Sequence, residues 1–397
     1  MHNLQKAEQT LLFLVILFLP TQLGKHFWPP FSFVYSLPID YFSPVFYFWD
    51  FLVIVLLAIN FLQKKSVNKT ALNLFLLFML TQSVSLIFAA NIGPGLVRLE
   101  QFFIAGLFGV HIASAAKQMK SLVFWGLILS MIAEIILAIA QFIRGATIGF
   151  WIFGERSFTL STPGIAKFDF YGIQFLRPYA TFPHPNVLAA FLLITIIFLQ
   201  LSNSNHHRSL RKVVTFFAGL VILLTVSRVI IIAGLVWAMI TLKNKYRVFL
   251  LIGLGFLLPI LYARFSSIFT FDNLALTRRE ELSGVALTLF SKSPIFGIGL
   301  NNFISAGADL LLVGPSRFLQ PAHNIFLLML SETGIIGFLG FLLLIGHPIK
   351  KHSFLSVWIV IIFLGMFDHY FLTLPQGYRL LFLIWGMSLA HAPAKIA

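Results

Sequence analysis

Apolar residues run along this chain in long blocks, not in the alternation of a half-buried strand or the one-sided stripe of a surface helix. A helix crossing the hydrocarbon layer of a bilayer needs roughly 20 such residues. Candidate spans fall at 9–27, 44–63, 70–90, 95–116, 121–143, 186–202, 213–227, 228–242, 247–265, 323–346, 354–371 and 379–393. The stretch 213–242 reads either as one long helix or as two short ones meeting at Ser227-Arg228. Two short spans keep the later topology consistent. The apolar run Leu11–Pro20 has no small-residue cleavage site after it and reads as a first membrane helix rather than a removable signal peptide. The expectation is an all-α integral membrane protein, residues 1–397 forming one polytopic domain of about twelve transmembrane helices.

The polar breaks between blocks carry an orientation. Lys6, Lys64, Lys65, Lys69, Lys117, Lys120, Arg208, Arg211, Lys212, Lys243, Lys245, Arg247, Lys350, Lys351 and Lys395 gather on one face, 15 of the 28 basic residues and 12 of them lysine. The positive-inside rule makes that face cytoplasmic, with both termini on it. The other face holds 13 basic residues, of which ten are arginine: Arg98, Arg144, Arg156, Arg177, Arg228, Arg264, Arg278, Arg279, Arg317 and Arg379. Topology needs only positive charge. Arginine adds a planar fork that pairs bidentately with phosphate, so a phosphate ligand on the outer face is one reading and snorkelling toward lipid headgroups the other.

Composition narrows the class. The chain is 59% hydrophobic and 10% charged, with a mean hydropathy of +0.93, where a soluble domain carries roughly 25% charged residues. The net charge of +15 therefore belongs to membrane loops and does not indicate a nucleic-acid partner. With no cysteine there is no disulfide framework, thiolate metal site or thiol nucleophile.

Two long segments lie on the outer face, 144–185 and 266–322, and loops of that length inside a compact domain are usually functional. The first ends in Arg177-Pro-Tyr-Ala-Thr-Phe-Pro-His-Pro-Asn186, where the prolines impose an extended approach and Asn186 is placed to cap the next helix, with His184 a structural residue or more. Thr225-Val-Ser-Arg228 lies between two apolar runs. An arginine near membrane depth faces ligand, water or an intramembrane carboxylate such as Glu134. In the second segment Arg278-Arg279-Glu-Glu281 precedes 284–293, which could lie as a helix along the surface. Then comes Pro294-Ile-Phe-Gly-Ile-Gly-Leu-Asn-Asn-Phe303, whose Gly297 and Gly299 permit close backbone approach. The Gly-x-Gly lacks the strand and third glycine of a dinucleotide fingerprint. Arg317 precedes His323-Asn324, which open an apolar span followed by Glu332-Thr-Gly-Ile-Ile-Gly337. An imidazole at that boundary can accept a proton near neutral pH, or it is a bystander beside a helix cap on Asn324. Arg98, Glu100, Asp40 and Asp50 read as structural ion pairs, and Arg144, Arg156, Arg264 and Arg379 as interfacial anchors.

This ordered set resembles the O-antigen ligase/polymerase superfamily: Arg177–Asn186, the Thr225–Arg228 turn, an arginine fifteen residues before Pro294, the Gly297/Gly299 loop, and His323–Phe338. The resemblance covers 170–345. It implies a GT-C-like membrane glycan transferase at the outer face of the cytoplasmic membrane, acting with inversion. The donor would be a glycan on a polyprenyl pyrophosphate and the acceptor a hydroxyl of a glycan, glycolipid or protein. Carried onto this chain, His323 is the general base, Arg228 and Arg279 stabilise the pyrophosphate, and Arg177, Arg278, Asn324 and Arg317 bind substrate. Pyrophosphate is already a good leaving group. The outer segments hold Asp169, Asp272 and Asp309 but no paired aspartates, so no cofactor and no metal are expected. A flippase of lipid-linked glycans is the competing class; it would place charge along a central path. A membrane scaffold would have no use for the arginine–histidine set.

Overall fold

The computed structural model describes residues 2–201, 207–244, 246–248, 252, 255, 262, 274–311, 319–350 and 354–390. Long helices dominate it: α1 (His2–Leu17), α2 (Phe48–Leu62), α3 (Lys69–Ser85), α4 (Ile92–Ala115), α5 (Met119–Arg144), α6 (Pro185–Leu201), α7 (Arg208–Leu224), α8 (Arg228–Thr241), α9 (Leu274–Lys292), the short α10 (Phe303–Gly307), α11 (Ile325–Ile349), α12 (Leu355–Gly365), the short α13 (Tyr370–Thr373) and α14 (Pro375–Ala390). Helices α4 and α5 form one run bent at Met119. Helix α4, helix α5, helix α11 and the run Lys69–Phe88 are long and apolar enough to cross a membrane, and α2, α6, α8 and α12 are shorter apolar helices. Strands occur only as antiparallel pairs among the described residues: β1 (Gly24–His26) with β4 (Val45–Tyr47), β2 (Phe33–Val34) with β3 (Leu37–Pro38), and β5 (Lys167–Phe170) with β6 (Ile173–Leu176).

Among the described residues the hydropathy blocks coincide with helices, with two differences and with 213–242 divided in two as expected. Helix α1 stops at Leu17, because Pro20 and Gly24 lead the chain into a turn and strand β1 where the span 9–27 was expected to continue. The stretch 213–242 is two helices, α7 and α8, separated by Thr225–Ser227. Helix α12 ends at Gly365, short of the expected 371, which leaves Asp368 and His369 in a turn. The expected span 247–265 falls largely outside the described residues.

The chain forms two compact units. Met1–Leu19, Gly24–Gly126 and Leu276–Ala397 make the first; Pro20–Leu23 and Leu127–Ala275 make the second. In the first, α3 packs on α11 through small residues. A Cβ on Gly340 would overlap Thr81, and the Gln82 Nε2 donates to the Gly337 carbonyl at 2.9 Å. Without a hydrophobic drive between lipid-solvated helices, such close backbone approach and buried hydrogen bonds supply the attraction. Helix α9 presents Leu282, Val285, Ala286 and Leu289, a one-face helical spacing, to Ile39, Phe42, Phe303, Ile304 and Leu328.

Helix α11 is broken at Gly334 (φ 61°, ψ −167°). The loop 294–299 heals the break. Ile298 and Gly299 N–H donate to the Ser331 and Glu332 carbonyls at 3.1 and 2.8 Å, and Ile335 and Ile336 N–H donate to Pro294 and Ile295 at 2.9 and 3.2 Å. Backbone groups freed inside an apolar layer must find partners, and Gly297 (φ 73°) and Gly334 allow the two backbones to touch. The Glu332 carboxylate accepts the Phe303 N–H at 3.2 Å and holds the start of α10. The glycines of the two motifs thus serve each other.

In the second unit the segment 145–184 is folded on buried polar anchors. Glu155 accepts three consecutive backbone N–H groups, from Ile148, Gly149 and Phe150, together with the Gln141 amide. Gln141 Oε1 accepts from Tyr179 and Ala180 N–H. Glu134 is bound by the Thr181 N–H and hydroxyl at 3.0 and 2.7 Å. Tyr171 and Gly172 both take positive φ at the β5–β6 turn, the mirror-type hairpin geometry.

Candidate active site

His323 sits one residue before Asn324, whose side-chain oxygen caps α11 by accepting the Phe326 and Leu327 N–H groups at 2.9 and 3.1 Å. That oxygen is therefore committed to the helix end. The cap fixes the backbone from which His323 projects, and Glu332 ties the same half-helix to the 294–303 loop. His323 is partly buried. Its Nδ1 lies 3.4 Å from Asp368 Oδ1, and its Nε2 lies 3.4 Å from Gln320 Oε1.

Asp368 and His369 arrive from the end of α12. Gly365 makes the approach possible, because a Cβ there would lie 2.9 Å from Ile325 Cγ1, two residues past His323. Asp368 Oδ1 also accepts the His369 N–H at 2.8 Å. Burial alone would raise the Asp368 carboxyl. The contact with His323 and the charge of Arg279 outweigh it and hold the group well below the usual carboxylate range. The His369 ring packs 4.9 Å from the His323 ring and 5.6 Å, edge-on, from Tyr41. Burial, helped by the neighbouring His323, lowers His369 to about 3, so it is neutral at physiological pH.

Thr373 and Arg98 fix that imidazole. The Thr373 hydroxyl lies 3.1 Å from the His369 carbonyl and 2.6 Å from His369 Nδ1. Arg98, buried, binds the Thr373 carbonyl at 3.0 Å, Gln101 at 2.9 Å and Asn301 at 3.4 Å, and so joins α4, the 294–302 loop and α13. Its role is structural, as expected. Its partners are not Glu100, since residues two apart on a helix point to different sides.

Arg279, partly buried on α9, contributes to the electrostatics of Asp368, His369 and Tyr370. Arg278 beside it is also partly buried. Arg228 opens α8 in the second unit and is half-buried. Arg177, buried in that unit, donates from Nε to the Thr225 carbonyl and from a terminal nitrogen to Asn186 Oδ1 at 2.8 Å. It binds the turn that launches Arg228. In that turn the buried, β-branched Val226 takes φ 48°, an uncommon conformation for such a residue. Asn186, expected as a helix cap, lies in the first turn of α6 and serves Arg177 instead. The ring nitrogen of His184 accepts the Asn186 N–H at 3.1 Å. Arg317 and Arg264 lie outside the described residues.

Arg379 is not the interfacial anchor expected of it. Its guanidinium is fully buried between the rings of Tyr47 and Trp49, 4.7 and 4.6 Å from their centroids, and its NH2 lies 3.9 Å from Asp50. The two functional-looking residues that sequence reasoning missed are Asp368 and His369. The signal was present: ionisable residues at the end of an apolar run are functional candidates by default.

Two findings bear on identity. Residues 213–342 match the family model described as O-antigen ligase. The curated proteins contain no match to this chain.

Proposed function

We propose that this chain is a membrane glycan transferase of the O-antigen ligase/polymerase type, using a polyprenyl-pyrophosphate-linked donor at the outer face of the cytoplasmic membrane, a reading supported by the match of residues 213–342 to the O-antigen ligase family model. The observation that carries this reading is the His323–Asp368 pair, with Arg279 in electrostatic range. Asp368, 3.4 Å from Nδ1, draws the ring proton of His323 to that side and leaves the Nε2 lone pair to take the proton of an acceptor hydroxyl. The acceptor oxygen then bonds to the anomeric carbon, and the bond from that carbon to the pyrophosphate oxygen breaks with inversion. Arg279 stabilises the charge on the departing polyprenyl pyrophosphate, and Arg228 is the second candidate for that task. Of the adjacent arginines we assign this task to Arg279, whose charge acts on Asp368. Arg278 and Arg317 remain candidates for substrate contact. Arg177 we assign to holding the Thr225–Ser227 turn, and Asn324 to holding His323. The acceptor is a hydroxyl of a glycolipid, a growing polysaccharide or a protein.

A flippase needs no proton acceptor paired with a partly buried carboxylate, and this pair favours chemistry over transport. The test is transfer in liposomes from purified lipid-pyrophosphate glycan to candidate acceptors, with and without chelator. His323→Ala, Asp368→Asn and Arg279→Ala are expected to lose transfer while still inserting, and wild type is expected to retain it in chelator. Full activity in His323→Ala would remove the base.

A further inference from the structure

His323, Asp368 and His369 offer more than an acid–base pair. One ligand atom from each lies within 4.8 Å of the others, and among the described residues no other group of three metal-type ligands comes together. The donor set, two imidazoles and one carboxylate, suits late first-row divalent ions. Mg2+ and Ca2+ prefer all-oxygen sites. Both imidazoles are prepared as ligands. His369 Nδ1 is held by the Thr373 hydroxyl at 2.6 Å, the kind of partner that orients a metal-binding histidine. His323 Nδ1 is buried and makes no hydrogen bond of good geometry, the 3.4 Å approach to Asp368 being long for one. A cation held by one ring nitrogen of each histidine and a carboxylate oxygen of Asp368 would be bound by all three groups. Ligand atoms around a tetrahedral Zn2+ with bonds of about 2.0–2.1 Å stand roughly 3.3 Å apart. The widest separation must therefore shrink by about 1.5 Å, within reach of imidazole rotation. The nearby Arg279 opposes an ion held by charge alone and leaves one held by nitrogen donors.

We propose that His323, Asp368 and His369 form a binding site for a divalent ion of the Zn2+ type, and that the bound ion suppresses transfer by occupying the base. Binding follows from the donor set alone; suppression rests on the transferase reading above. An ion coordinated through His323 takes the imidazole and its carboxylate partner out of proton transfer. Three protein ligands leave a coordination position open, through which chelators reach the ion.

The full chain, purified in detergent and freed of metal, is titrated with Co2+ as a coloured stand-in for Zn2+. The expected result is one equivalent of visible d–d absorption typical of four- or five-coordinate Co2+. Zn2+ abolishes it, and a large excess of Mg2+ does not. His369→Gln and, separately, Asp368→Asn weaken it by about tenfold or more, at least the loss typical of removing an outer-shell partner. The two near-isosteric variants give independent readings if one fails to fold. No absorption in wild type, or an undiminished band in both variants, overturns the site. In the liposome assay, Zn2+ is expected to lower transfer and chelator to restore it. Loss of transfer on chelation with recovery on Zn2+ overturns the suppressive role, because the ion would then be catalytic. If no arm shows transfer, the transferase reading fails, while the Co2+ titration still decides whether the site binds metal.

Discussion

Gly297→Ala tests whether the 294–299 loop is what holds the broken helix together. At φ 73° the added methyl faces the Glu332 carbonyl and the Thr333 nitrogen, all backbone, at distances well under the 3.0 Å that real Cβ atoms respect. Neither partner can move cheaply, since both belong to α11. The left-handed conformation costs alanine about 1–2 kcal/mol. Displacing the loop also loses the Ile298–Ser331 and Gly299–Glu332 hydrogen bonds, each contributing about 0.5–1.5 kcal/mol net. The expected destabilisation is about 2–5 kcal/mol. Gly284→Ala is the control within the same stretch of chain. It lies exposed on α9 with no atom within 4 Å of its new Cβ, and alanine should gain about 0.5–1 kcal/mol in a helix interior. The assay is thermal unfolding in detergent followed by tryptophan fluorescence, with transfer measured on the folded fraction. The midpoint should fall for Gly297→Ala and hold or rise for Gly284→Ala. Transfer should fall for Gly297→Ala alone, because the Ser331–Glu332 end of the half-helix carrying His323 is displaced. A Gly297→Ala midpoint at or above wild type would refute the account of the healed break.

Asp368→Asn keeps the side-chain volume and removes the charge facing His323; transfer should fall about 10²-fold or more with little change in unfolding midpoint, and an unchanged turnover would sink the pairing. Arg177→Lys loses the fork that spans the Thr225 carbonyl and Asn186. It should cost about 1–3 kcal/mol for a buried group left unsatisfied and raise the apparent KM for the donor through Arg228, so wild-type stability and KM together would show that the turn holds itself. Gly365→Ala places a methyl against Ile325. It is expected to cost about 1–3 kcal/mol by overpacking and to slow transfer by moving Asp368 away from His323. Loss of stability with unchanged transfer would separate the packing from the site.

What could be read in the chain before its fold was known depended on how locally each feature is determined. Helix placement needs only consecutive apolar residues, so most blocks became helices within a few positions of their expected ends. Where expectations slipped, a single residue was read without its partner. Arg379 at the edge of an apolar run looked like a snorkelling anchor, because nothing nearby in sequence announces Tyr47, Trp49 and Asp50 as its enclosure. Asn186 looked like a cap because it precedes an apolar run, but its oxygen answers to Arg177. Asp368 and His369 were absorbed into a span because the run before them is apolar. The helix ends at Gly365, where α12 meets Ile325, and that meeting is a tertiary fact. The same reasoning bears on the motifs. Gly297, Gly299, Glu332 and Gly334 look in sequence like parts of a binding loop, and in space their work is to complete one another's backbone hydrogen bonds and hold the half-helix that carries His323. The residues left for chemistry are fewer than the motifs suggest. In the first unit the proposed set is His323, Asp368, His369 and Arg279, four ionisable groups from three stretches of chain, held by residues that have no chemistry of their own.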